Sequence, residues 1–106
     1  MFARKVSLQL KPNSVAEFTQ RIEKDVLPLL RKQTGFQGEI TLVAPGETTA
    51  FGISLWDNEQ NAEAYNHGTY PEVAKILARV VEGSPQVETY EVCNSTLHKI
   101  AAAVAA

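Results

Sequence analysis

The chain has 106 residues, 44% hydrophobic and 21% charged, with a formal net charge of −2. That is enough for one domain with its own core, without disulfides or a structural metal. Acids and bases interleave, so phosphates meet no basic stripe and nucleic acid is not an expected partner. The N-terminus lacks the apolar region of a signal peptide, and no apolar run approaches the ~20 residues of a membrane span. The one cysteine, Cys93, has no internal partner, which sets the expectation of a reducing, cytoplasmic protein. Cys93 itself reads as a small buried hydrophobe.

Residues 3–11 alternate, with Val6, Leu8 and Leu10 on one face and Lys5, Ser7 and Gln9 on the other. This is a strand with one face in a core. After Lys11-Pro12-Asn13, the run Ser14 to Glu17 reads as a capping box, and Val15, Phe18, Ile22, Val26, Leu29 and Leu30 form an apolar helical stripe. Pro28 is expected to kink that helix near its last turns, and Gly35 to stop it.

Phe36 to Val43 is a second alternating run, with Phe36, Gly38, Ile40 and Leu42 expected on one face. Ala44-Pro45-Gly46-Glu47 is turn chemistry. Thr48 to Trp56 follows as a third strand, its larger residues Phe51, Ile53 and Leu55 on one face and Ala50, Gly52, Ser54 and Trp56 on the other. If the helices cover the Phe51/Ile53/Leu55 face, the Ala50/Gly52/Ser54/Trp56 face is the one left for a partner. A second helical stretch opens at Asp57-Asn58, is interrupted at Asn66-His67-Gly68 and restarts at Thr69-Tyr70-Pro71-Glu72, with Val73, Ile76, Leu77, Val80 and Val81 as its stripe. Gly83-Ser84-Pro85 is expected to end it. Val87 to His98 reads as a long last strand with two apolar faces.

The order is β-α-β-β-α-β, a ferredoxin-like α+β fold: a four-stranded antiparallel sheet with two helices on one face. Residues 1–98 make the domain and 99–106 an Ala-rich tail. Two helices cover only one face of such a sheet. The long last strand suits extension onto a second copy, so a homodimer is expected.

Candidate chemistry gathers near the ends of the elements. Trp56, where strand gives way to helix, reads as a pocket-rim residue or a packing aromatic. His67, at the helix interruption, reads as a base on a lid or as a polar residue before a C-terminal glycine. Tyr65 and Tyr70 cluster beside it, and Ser7 and Asn94 offer hydrogen bonds from the sheet. His67, His98 and Cys93 have no ligand spacing among themselves, so no metal is expected. No phosphate loop, nucleophile elbow or paired-carboxylate motif is present.

Several stretches together resemble the antibiotic biosynthesis monooxygenase-like family of the dimeric α/β-barrel superfamily. They are Val26-Leu27-Pro28-Leu29-Leu30 followed by Gly35-Phe36, and Ser54-Leu55-Trp56-Asp57 leading into Ala62-Glu63-Ala64-Tyr65. The resemblance spans about residues 3–97. It implies two ferredoxin-like sheets paired as a dimeric barrel, with a ligand held between sheet and helices of each subunit. It further implies a cofactor-independent monooxygenase-like protein, an oxidoreductase acting on a small aromatic or related metabolite. A non-catalytic small-molecule-binding or stress-response homodimer stays open beside it. Haem-degrading members of the family carry an Asn on the first strand and a Trp and a His on the second helix. Here that strand has no Asn, and Tyr65 and Lys75 stand at the other two positions, so no haem is expected. Trp56 matches a strand-three Trp of the cofactor-free oxygenases, without that family's neighbouring Asn. Catalytic roles for Trp56 and His67, and substrate contacts for Tyr65, Tyr70, Ser7 and Asn94, are the resulting expectations.

Overall fold

The computed structural model describes residues 1–46 and 48–99. The elements follow the order β1 (Phe2–Leu10), α1 (Val15–Arg21), a wide π-helical turn (Ile22–Val26), α2 (Leu27–Arg31), β2 (Phe36–Val43), β3 (Thr49–Trp56), α3 (Glu59–Gly68), α4 (Tyr70–Leu77) and β4 (Val81–Glu91). The strands form one antiparallel sheet in the order β2-β3-β1-β4, with all helices on one face. The expected ferredoxin-like fold is therefore present. The Ala-rich tail expected over 99–106 lies, beyond Lys99, outside the described residues.

Pro28 does not bend a continuous helix. It has no N–H to donate, so it occupies the first turn of α2, where that donor has no partner to lose. The misfit is absorbed just before it, in the π-helical turn. Gly35 ends the connection as expected. Its φ of +79° is left-handed, and a Cβ there would run into the Asn61 side chain. Its carbonyl accepts from Asp57 N–H at 2.9 Å, tying this turn to the end of β3. Asn58 caps α3 by accepting from Asn61 N–H.

Three expectations are corrected. The first is which face of the sheet the helices cover. Phe2, Arg4, Val6, Leu8 and Leu10 of β1 stand beside Trp56, Ser54, Gly52 and Ala50 of β3, and that is the face the helices cover. Phe51, Ile53 and Leu55 point to the uncovered face and are only half-buried. The small residues face inward because the helices press there and because a cavity, described below, occupies the space they leave.

The second correction concerns β2. The register slips between Phe36 and Gly38: Phe36 pairs with Trp56, but Gly38 pairs with Leu55. The extra residue, Gln37, turns Phe36 inward while Gly38, Ile40 and Leu42 face outward. Glu39 and Thr41 consequently point toward the helices.

The third concerns the last strand. Gly83-Ser84-Pro85 does not end a helix; it lies inside β4. Between Ser7↔Gln86 and Gln9↔Glu82 the β4 chain spans two more residues than β1. This bulge accommodates a glycine at φ +68° and a proline that has no ladder donor. The strand ends at Glu91 rather than His98, and Cys93 is exposed, not a buried hydrophobe.

The core centres on Trp56 and Phe18, with Leu30, Tyr65, Val73, Leu77 and Val80 around them. Trp56 is completely buried. It stacks on Tyr65 at 5.0 Å between ring centroids and meets Phe36 edge-on at 5.6 Å. Its indole N–H donates to Ser54 Oγ at 2.9 Å, so no polar atom of the ring is stranded.

Candidate functional site

Between the sheet and the helices lies a cavity of about 300 Å³, within the range of small-molecule pockets. Its floor can be read from strand register. Across β1, β3 and β2, one row is Arg4, Ser54, Glu39 and the next is Val6, Gly52, Thr41. The middle strand carries only a hydroxymethyl group and a hydrogen, so it forms a trough. Arg4 and Glu39 stand on opposite banks, their backbones two strand spacings or roughly 10 Å apart across the sheet. Phe18, Ile22, Val26 and Leu30 roof one side, and Tyr70, Val73, Ala74 and Leu77 the other. Most of the wall is apolar, and the two charged residues that line it, Arg4 and Glu39, share one row.

Arg4 is 3% exposed. Its guanidinium lies over the Tyr70 ring at 4.0 Å and near the Tyr65 ring at 5.2 Å, a cation–π arrangement. It donates to Asn66 Oδ1 at 2.8 Å. Its Nε–H is buried without an acceptor.

Glu39 accepts a hydrogen bond from Thr41 Oγ1. Burial raises its carboxyl pKa above the usual value, and the Thr41 bond only partly offsets this. Burial likewise pushes the Tyr65 phenol up to about 12. Arg4 opposes that rise, while Tyr70 and Glu39 add to it. Tyr65 is thus a neutral wall near pH 7, and Glu39 is the carboxyl group of the site, its hold on a proton strengthened by burial.

Of the residues expected at the site, Tyr65 and Tyr70 line the cavity. Trp56 does not; it backs Tyr65 from behind, with its N–H already engaged. His67 also stays outside. Its side chain is 78% exposed and its Nε2 lies 3.3 Å from Glu63 on the same helix. The helix interruption that suggested a lid falls at Thr69, after a turn that keeps His67 on the solvent side. Ser7 is on the opposite face of the sheet, paired with Phe51. Asn94 is exposed beyond the end of β4. Among the described residues, no cluster of His, Cys, Asp and Glu could hold a metal ion. No helix among them is long and apolar enough to cross a membrane.

Arg4 and Glu39 were not anticipated. Arg4 had a signal, since it continues the inward phase of Val6, Leu8 and Leu10. A charge in a core register needs a reason. Glu39 was hidden by the slip at Gln37.

No protein-family model and no curated protein matches the sequence. Solved structures do. A protein of unknown function, NE2512 from Nitrosomonas europaea, superposes with a TM-score of 0.75 at 20% identity, over 92% of this chain and 94% of that one. The monooxygenase from the gene ActVA-Orf6 of Streptomyces coelicolor, solved with Nanaomycin D, gives 0.70 at 17% identity, over 92% of each chain. SnoaB, a cofactor-independent oxygenase from Streptomyces nogalater, gives 0.72 at 12% identity, over 92% of this chain and 97% of that one. The chain thus has the ferredoxin-like fold shared by the antibiotic biosynthesis monooxygenase-like proteins.

Proposed function

We propose that the protein is a cofactor-independent monooxygenase acting on a small hydroxylated aromatic metabolite. The observation that carries this is the largely apolar cavity with one carboxylate, Glu39, set across a trough from a buried cation. The oxygenases among the fold neighbours support it by analogy.

Oxygenation without a cofactor requires the substrate to supply the electrons, and an ionised hydroxyaromatic does so far more readily than a neutral one. Glu39 takes the hydroxyl proton of the substrate, AH₂, and leaves the anion AH⁻. Its raised pKa makes it a better match for that proton than an exposed carboxylate. The anion adds oxygen at a ring carbon, and the resulting peroxide recovers the proton from Glu39. Loss of water, which carries away the ring hydrogen, gives the product: AH₂ + O₂ → AO + H₂O. Tyr65 and Tyr70 orient the ring, and the apolar roof keeps bulk water from the anion.

Oxygen consumption with a panel of naphthols, anthrones and quinols tests this. Uptake of one O₂ per product, with one labelled oxygen retained from ¹⁸O₂, is the expected result. Binding of these compounds without any uptake would instead indicate a non-catalytic binding protein.

The homodimer belongs to the same proposal. Ile40 and Leu42 are about half exposed and stand beside Phe51, Ile53 and Leu55 on the uncovered face. A stripe of this kind suits burial against a second copy. Light scattering on the purified protein should give twice the 11.6 kDa chain mass; a monomer at micromolar concentration would contradict pairing.

A further inference from the structure

We propose that Arg4 anchors an anionic oxygen of the molecule that fills the cavity. This names the ligand class, a singly charged apolar anion, and rests on the cavity assigned above. Arg4 is almost fully buried, yet among the described residues no carboxylate pairs with it; the ion pairs formed involve Lys5, Arg21, His67 and Arg79. A guanidinium cannot shed its proton to escape that environment. Burying it without a counter-ion is strongly unfavourable.

The protein satisfies only part of the group. Asn66 accepts from one terminal nitrogen, and the Tyr70 ring covers a face. The Nε–H, at the edge of the plane, has no acceptor. Glu39 stands across Ser54 on the far bank of the trough, and no ion pair joins it to Arg4. What remains is a buried cation with an unspent donor, on a residue that lines the cavity beside Val6, Leu8, Phe18 and Leu77. Its complement is one negative oxygen on an apolar body. An ionised phenol or enol supplies that, and so does a carboxylate.

Calorimetric titration of the intact protein with 2-naphthoate, its neutral analogue 2-naphthamide and 2-naphthol tests the anchor. A charge-assisted hydrogen bond in a dry site is expected to favour naphthoate over naphthamide by about tenfold or more. Arg4→Met should erase that preference while keeping the naphthamide affinity, and Arg4→Lys should restore part of it. The methionine variant replaces an unpaired buried charge with an apolar chain, a change that tends to stabilise. Should it nevertheless not fold, the wild-type preference and the lysine variant still decide.

The absorption of bound 2-naphthol identifies the source of the charge. A naphtholate spectrum near pH 7 assigns the anchor to ionised hydroxyls; an unshifted spectrum with tight naphthoate binding assigns it to carboxylates. Equal affinity for naphthoate and naphthamide overturns the proposal. So does a preference that survives Arg4→Met, or no naphthoate binding at millimolar concentration. An Arg4-dependent preference without oxygen uptake would refute the oxygenase alone. Uptake without the preference would refute the anchor alone.

Discussion

Trp56→Ala is expected to destabilise the domain by about 4 kcal/mol, as truncations of fully buried large aromatics do. The indole has no exposed surface and touches Phe36 and Tyr65 through its ring and Ser54 through its N–H. Alanine leaves a void between β3 and α3 and strands the role of Ser54 Oγ as an acceptor. With typical domain stabilities of roughly 5–15 kcal/mol, such a loss brings the protein close to unfolding at room temperature. Urea denaturation followed by circular dichroism measures it; fluorescence does not serve, because Trp56 is the one tryptophan. A loss below about 1 kcal/mol would show that the aromatic stack is not central to the core. The same variant should also loosen Tyr65, the cavity wall that Trp56 supports.

Glu39→Gln is expected to lower turnover of neutral hydroxyaromatic substrates by roughly 10²–10⁴, the usual contribution of a positioned base. Substrates already ionised in solution should be largely spared, since their proton is gone before binding. An equal loss for both classes would assign Glu39 to binding rather than to proton transfer.

The same substitution carries a stability prediction of definite sign. The folded-state pKa of Glu39 is raised, so the native state holds this proton more tightly than the unfolded chain does. As pH rises through the unfolded value, 4.5, and on through the folded one, the unfolded state releases its proton first and stability falls. Glutamine has no proton to release. Glu39→Gln should therefore be more stable than the native protein at pH 7, and the difference should shrink toward pH 4. Thermal melts at the two pH values measure this.

Strand and helix order were legible because the two hydrophobic periods are unambiguous over β1, α1 and β3. The covered face was not. Alternation shows which residues of a strand share a face, not which face meets the helices. On β3 it is the smaller residues, apart from Trp56, that face inward, because that side holds a cavity. On β2 a single extra residue, Gln37, reversed the phase and concealed Glu39. Gly83 and Pro85 look like helix-stop chemistry, and only the bulge in the β1–β4 ladder explains them inside a strand. At the site, Tyr65 and Tyr70 were found from local clustering. His67 was misplaced because the break falls at Thr69, which leaves it at the wet end of α3. Arg4 was within reach, since its position follows from the phase of β1 alone.

The central claim is that the trough between Arg4 and Glu39 is a ligand site. Backbone amide shift mapping by NMR during titration with 2-naphthol tests it most directly. Perturbations should concentrate on Arg4, Val6, Glu39, Thr41, Gly52 and Tyr65, which line the cavity. Shifts confined to Ile40, Leu42, Phe51 and Ile53 would place the ligand on the uncovered side of the sheet and contradict the account.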